Sequence, residues 1–212
     1  MEFNEAIQEY AEEPITTDAI LRLLKDYKRP YDKISELVKQ QVLTPVKRGV
    51  YITGPKLRIV GPQPYLLANH ILGPSYVSME SALSYWNLIP ERVYETISMT
   101  TTESKIHRTP VGRFSYKHLP LPYYSFGIRR IELTERQAAL IASPEKALCD
   151  KIVATPGILL RSIKQVMDLL IEDLRIDEEQ LRNLNTKEMN SWLTDAPKKN
   201  SLAMLVKTLS NL

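Results

Sequence analysis

Apolar residues recur along the first sixty positions first at helical and then at strand spacing. Phe3, Ile7 and Tyr10 or Ala11 lie three or four apart, as on one face of a helix, and Pro14 ends that run. Positions 20, 21, 23, 24 and 27 give a second stripe, with Thr16 or Thr17 placed to cap it. A third helix is expected from Pro30, a residue suited to a first turn, with Tyr31, Ile34, Leu37, Val38 and Gln41 or Val42 on its buried face. Two β-prone runs then flank Lys47-Arg48-Gly49, which predicts a hairpin with Gly49 at the positive-φ position of its turn. Three short helices and a two-stranded ribbon follow the element order of a winged helix-turn-helix, expected over residues 1–60.

Gly54, Pro55, Gly61, Pro62 and Pro64 break the pattern and mark a boundary. Residues 61–212 predict a mixed α/β domain. Helices are expected near 64–72 and 78–87, the second capped by Ser78. The β-prone segments 93–101, 112–119 and 126–133 predict a small antiparallel sheet over roughly 93–133. Ser143-Pro144-Glu145 supplies the cap, proline and acid of a helix start, and that helix carries Ala147, Leu148, Ile152 and Val153. The remainder, 158–212, reads as helical, with stripes at 159/163/166/170 and 202/205/206/209. The fold class expected is α+β.

Composition adds limits. With 43% hydrophobic and 25% charged residues in 212, the chain can bury a core without staples. Its single cysteine, Cys149, excludes an internal disulfide and a multi-cysteine metal site and fits a reducing compartment. Met1-Glu2-Phe3-Asn4-Glu5 has neither the basic nor the apolar region of a signal peptide, and no apolar run nears the roughly 18–20 residues of a membrane span. A cytoplasmic protein without membrane contact is expected.

The net charge of +3 is uninformative, but its distribution is not. Residues 21–60 carry ten Lys/Arg against three acids, and residues 104–131 carry six Lys/Arg and no acid. In a helix-turn-helix the recognition helix meets base edges in the major groove, and basic residues hold backbone phosphates. The candidate DNA-binding residues are therefore Arg29, Lys33, Ser35, Lys39 and Gln40 on or beside the third helix, Lys47 and Arg48 at the hairpin turn, and Lys56 and Arg58 after it. Asp32 and Glu36 on the same helix oppose this, because they repel phosphate. The second basic stretch, Lys105, Arg108, Arg113, Lys117, Arg129 and Arg130 interleaved with Phe114, Tyr116, Tyr123, Tyr124 and Phe126, offers a partner surface or simple in–out alternation. A small packing domain with solvated lysines is the bland alternative for the first stretch.

Catalytic chemistry finds little support. His70, His107 and His118 share no metal-ligand spacing, and Cys149 lies on an amphipathic helix where a packed thiol is expected. No phosphate-binding glycine loop or GxSxG is present. No catalytic site, metal or cofactor is expected.

Several blocks together resemble a family. They are Gly49-Val50-Tyr51, Gly73-Pro74-Ser75-Tyr76-Val77-Ser78-Met79-Glu80-Ser81-Ala82-Leu83, Leu88-Ile89-Pro90, Met99-Thr100-Thr101, Phe114-Ser115-Tyr116, and Ala142-Ser143-Pro144-Glu145-Lys146-Ala147-Leu148-Cys149-Asp150. In this order, over roughly residues 1–155, they resemble the antitoxins of type IV, AbiE abortive-infection systems. The resemblance implies an N-terminal winged helix that represses its own operon at inverted repeats in double-stranded DNA, with a homodimer possible there. It also implies a C-terminal antitoxin domain that counteracts, directly or functionally, a toxin of the nucleotidyltransferase superfamily. It transfers no catalytic residue, and the final helices fall outside it. Three other readings stay open: a transcription regulator whose C-terminal domain senses a ligand or dimerises, a toxin-binding protein without DNA binding, and an enzyme.

Overall fold

The computed structural model describes residues 3–212, so Met1 and Glu2 of the acidic start lie outside the described residues. The chain is an α+β protein. Helix α1 (Phe3–Ala6) tightens into a 3₁₀ turn over Ile7–Tyr10 and buries Ile7. Strand β1 (Ile15–Thr16) follows, too short for any periodicity to register. Thr16 then caps α2 (Thr17–Leu23), its hydroxyl accepting the Ala19 N–H at 3.2 Å. Helix α3 (Pro30–Lys39) starts on Pro30 and buries Ile34 and Leu37. Tyr31, expected on that face, is 64% exposed. Each i+3 step turns by about 60° from its predecessor, so two steps from Leu37 rotate Tyr31 out of the stripe.

Strands β2 (Leu43–Lys47) and β3 (Val50–Thr53) form the expected hairpin, closed by Arg48 and Gly49, with Gly49 at φ 80°. β1 pairs with β3, so this sheet runs β1-β3-β2. The hairpin is covered on both faces. Leu43 and Tyr51 join a small core with Ile7, Ile15, Ile20, Leu24, Ile34 and Leu37. Val46, Val50 and Ile52 join the large core of the rest of the chain. Strand alternation accounts for this in β3, because Val50 and Ile52 point away from the face of Tyr51.

The rest of the chain begins with α4 (Pro64–Ile71), β4 (Ser75–Val77) and α5 (Met79–Tyr85). Strands β5 (Glu95–Thr100), β6 (Lys105–Thr109), β7 (Gly112–His118), β8 (Ile128–Glu132) and β9 (Ala138–Ala142) follow. The sheet order is β6-β7-β5-β4-β9-β8. This corrects the small antiparallel sheet expected over 93–133. There are six strands over 75–142, and β4/β9 and β5/β7 pair in parallel. The three β-prone segments are β5, β7 and β8. β4 escapes a propensity reading because Ser75-Tyr76-Val77 is too short to register, and β9 because Ala138-Ala139-Leu140-Ile141-Ala142 is rich in alanine, which strands disfavour. β6 escapes it because an edge strand tolerates charge.

Helix α6 (Pro144–Ala154) is capped as expected, Ser143 Oγ accepting the Lys146 N–H at 3.2 Å. Helix α7 (Ile163–Met167), a wider π turn over Asp168–Asp173, then α8 (Glu178–Arg182), α9 (Thr186–Ser191) and α10 (Lys199–Leu209) complete the chain. The 202/205/206/209 stripe is buried. Of 159/163/166/170 only Val166 and Leu170 are, because α7 begins at Ile163 and Leu159 precedes it. Tyr116 donates to the Ala68 carbonyl of α4 at 2.6 Å, and Tyr76 donates to Asp150 of α6 at 2.8 Å. These tyrosines occupy opposite faces of the sheet, so α4 covers one face and α6 the other.

Candidate nucleic-acid interface

The outer face of α3 is a set of locally matched charges. Arg29 lies 3.9 Å from Asp32, and Lys33 Nζ lies 3.0 Å from Glu36. Gln40 Nε2 donates to Glu36 at 2.7 Å. Glu36 is thus held by two neighbours, which lessens its repulsion of phosphate and also engages Lys33 and Gln40. Ser35 bonds back to the Tyr31 carbonyl at 3.1 Å, one turn earlier. Lys39 is exposed in the last turn. The Lys56 N–H donates to the Gln41 carbonyl at 3.1 Å, which sets the 55–58 turn, with Lys56 and Arg58 exposed, against the end of α3.

Lys47 and Arg48 are exposed at the hairpin turn, and the turn is pinned by the Gly49 carbonyl accepting the Thr17 N–H at 2.9 Å. Among the described residues, no carboxylate lies within ion-pair distance of Lys39, Lys47, Arg48, Lys56 or Arg58. The expected candidates therefore divide into three unmatched groups of cations and a matched α3 face. Unmatched cations are the ones that gain most from a polyanion, through counterion release.

The second basic stretch does not form one surface. Lys105, Arg108, Arg113 and Lys117 lie on the β6–β7 edge, while Arg129 and Arg130 lie on β8 at the opposite edge. Three of the six are already paired: Arg113 with Glu95 at 2.8 Å, Arg129 with Glu145 at 3.8 Å and Arg130 with Glu132 at 3.2 Å. Alternation along β7 turns Phe114 and Tyr116 inward, and the 3₁₀ turn at Tyr123–Ser125 buries Tyr123 and Tyr124, which leaves no stacking platform from these four. Strand β6 also packs against β2 of the hairpin. There His107 stands edge-on to Tyr116 at 5.8 Å, and burial, then Lys105 and Lys47 beside it, hold its imidazole below the usual histidine range.

A closed polar cluster, unforeseen from the sequence, lies against the sheet. Lys146 and Asp150, one turn apart on α6, are both 0% exposed and 3.0 Å from each other. Asp150 Oδ2 accepts from Tyr76 at 2.8 Å and from Ser78 at 2.7 Å. Lys146 donates to the Tyr123 carbonyl at 2.9 Å and its Nζ lies 3.3 Å from the centre of the Tyr123 ring. Ser78 therefore spends its hydroxyl on Asp150 rather than on capping α5. Burial lowers the Lys146 ammonium from its usual range, opposed by Asp150, and it pushes the Tyr76 hydroxyl well up, assisted by Asp150. Cys149 is buried beside them and its thiol is pushed up, so it stays protonated. These contacts tie β4, the 123–125 turn and α6 together, while the buried Tyr123 hydroxyl has no hydrogen-bond partner among the described residues. The available signal was a Lys and an Asp four apart within Pro144-Glu145-Lys146-Ala147-Leu148-Cys149-Asp150, a spacing that reads equally as a solvated pair.

Between α4, α5 and the starts of β5 and β7 lies a cleft of about 490 Å³ lined by Tyr65, Tyr85, Tyr94, Glu95, Arg113 and Glu132; its three charges are already paired, Glu95 with Arg113 and Glu132 with Arg130. Among the described residues there is no cluster of His, Cys, Asp and Glu able to hold a metal ion, and no helix long and apolar enough to cross a membrane.

No protein-family model and no curated protein matches the chain. Among solved structures it is similar to the crystal structure of the RV2827C protein from Mycobacterium tuberculosis, with a TM-score of 0.61 and 15% identity over 96% of this chain and 75% of that one, a likeness of fold.

Proposed function

We propose that the chain is a DNA-binding antitoxin of the AbiE type: residues 1–60 form a winged helix that binds operator DNA and represses its own operon, and residues 61–212 counteract a nucleotidyltransferase-like toxin. The observation that carries the DNA half is the unmatched pair Lys47 and Arg48 at the turn of a hairpin that follows α3 directly, in a sheet ordered β1-β3-β2. Lys39, Lys56 and Arg58 support it from the end of α3. The antitoxin half rests on the resemblance of the blocks around Ser78 and Ser143 to that family.

The test is a mobility shift with the protein's own promoter duplex and a scrambled duplex over a salt series. Specific binding that weakens as salt rises is the expected result. Absence of specific binding at low salt sinks the operator reading and favours a toxin-binding protein. Two observations favour that second reading: the hairpin is held between two cores instead of projecting, and Asp32 and Glu36 share the outer face of α3.

A further inference from the structure

The cleft between α4, α5 and the starts of β5 and β7 has no part in the function proposed above. At about 490 Å³ it lies within the range of small-molecule sites, roughly 300–1,000 Å³. Its aromatic wall is held in place by the protein itself. Tyr65 donates its hydroxyl to the Ser81 carbonyl at 2.8 Å and meets Tyr85 edge-on, with ring centres 5.9 Å apart. Tyr85 in turn meets Trp86 edge-on at 5.0 Å, and Trp86 Nε1 donates to the Ala142 carbonyl at 2.8 Å. Tyr94, 83% exposed, and Val111, 41% exposed, also line the cleft, so large apolar groups are left open to water there. Arg92 lies over the Tyr94 ring at 5.4 Å and steadies it. Glu95 and Arg113 are register partners on β5 and β7 and join through Oε1 and Nε at 2.8 Å. That contact leaves Glu95 Oε2 and the Arg113 Nη groups without a hydrogen-bond partner among the described residues.

We infer that the cleft binds a free guanine nucleoside, its base stacked on the tyrosine rings, its N1–H and 2-amino group donating to Glu95 and its O6 accepting from Arg113. Tyrosine rings suit any flat π-system, and nucleobases stack on them regardless of identity. The choice among flat rings falls to the Glu95–Arg113 edge, which sets an acceptor-only carboxylate beside a donor-only guanidinium. Guanine alone among the common bases carries an acceptor and two adjacent donors along one edge, the pattern that such a pair completes. A plain phenyl or indole ring leaves both side chains unmatched, and adenine offers that edge a single donor group. Each of the three charges lining the cleft is paired, so no unmatched cation stands there for a phosphate, and the base carries the recognition.

The experiment is isothermal titration calorimetry of the full chain with guanosine, inosine and adenosine. The expected result is saturable one-to-one binding of guanosine, about tenfold weaker binding of inosine, which lacks only the 2-amino group, and weaker binding still of adenosine. Glu95→Gln should remove most of the preference for guanosine over inosine, a readout that a merely structural role for Glu95 would not move. Tyr85→Ala should weaken guanosine and inosine alike by about tenfold. Tyr94→Ala, at a side chain 83% exposed, should also weaken both and keeps the test valid if the Tyr85 variant melts early. No saturable binding of guanosine overturns the proposal, and so does adenosine binding as tightly as guanosine. Guanosine affinity unchanged by Glu95→Gln and by both tyrosine variants places any binding elsewhere and also overturns it. None of these outcomes bears on DNA binding by residues 1–60.

Discussion

Lys47 and Lys146 carry the same ammonium group into opposite environments. Lys47 stands in water at a hairpin turn with no carboxylate partner among the described residues, and its charge is available to a polyanion. Lys146 is 0% exposed, and its charge is taken up by Asp150, the Tyr123 carbonyl and the Tyr123 ring. The same stem and charge thus lie open to solvent in one region and hold the fold together in the other. Burial decides which, since a desolvated ion must be matched where it lies whereas a solvated one is free to exchange water for a ligand.

The sharpest way to break this contrast is to remove the buried counter-ion. Asp150→Ala leaves Lys146 enclosed and strips the Tyr76 and Ser78 hydroxyls of their acceptor. A loss of about 3–5 kcal/mol in urea unfolding is expected, with duplex affinity of the folded fraction unchanged. A loss below about 1 kcal/mol means that the cluster does not hold α6 to the sheet.

Gly127 tests the same packing by steric means. It sits at φ 60°, and a Cβ there would lie 2.7 Å from Lys146 Cβ and 2.9 Å from the Trp192 ring. Gly127→Ala should cost about 2–4 kcal/mol, combining the left-handed backbone with overpacking, and thermal or urea unfolding reads it directly.

On the exposed side, Lys47→Ala with Arg48→Ala should leave stability within about 0.5 kcal/mol of wild type. It should lower duplex affinity about tenfold at 0.1 M salt, almost equally for any sequence, because such contacts are to phosphate. Equal affinity in the variant means that the hairpin turn does not meet DNA.

The smallest expected effect lies at the junction of the two regions. His107 has a lowered pKa in the fold, so between its usual value and that lower one the unfolded chain binds the extra proton. Stability from this group is therefore present above about pH 6.5 and is lost as pH falls through the lowered value. His107→Gln should flatten that part of a melting-temperature profile, and an unaltered profile assigns the acid sensitivity elsewhere.

Local features were legible in the sequence because they depend on neighbours in the chain. Pro30 at the start of α3, the Thr16 and Ser143 caps and the Gly49 turn all stand where the pattern placed them. So do the strands β5, β7 and β8. The exposure of Lys39, Lys47, Arg48, Lys56 and Arg58 was legible too, since Lys and Arg have few buried uses. The grouping of cations was not. The six cations of 104–131 divide between opposite sheet edges because β4 and β9 intervene, and neither strand announces itself in composition.

By itself, then, the sequence determined the helices and turns, the α+β class and which short segments carry excess positive charge, because these follow from spacing, capping and local composition. Only the tertiary structure decided which charges face water and which lie enclosed. Tyr76 and Asp150 are 74 residues apart and meet at 2.8 Å only because α6 packs on β4. The hairpin likewise gained its second covered face only when Val46, Val50 and Ile52 packed into the large core formed by the rest of the chain. Burial is a property of long-range packing, and no window of the chain contains it.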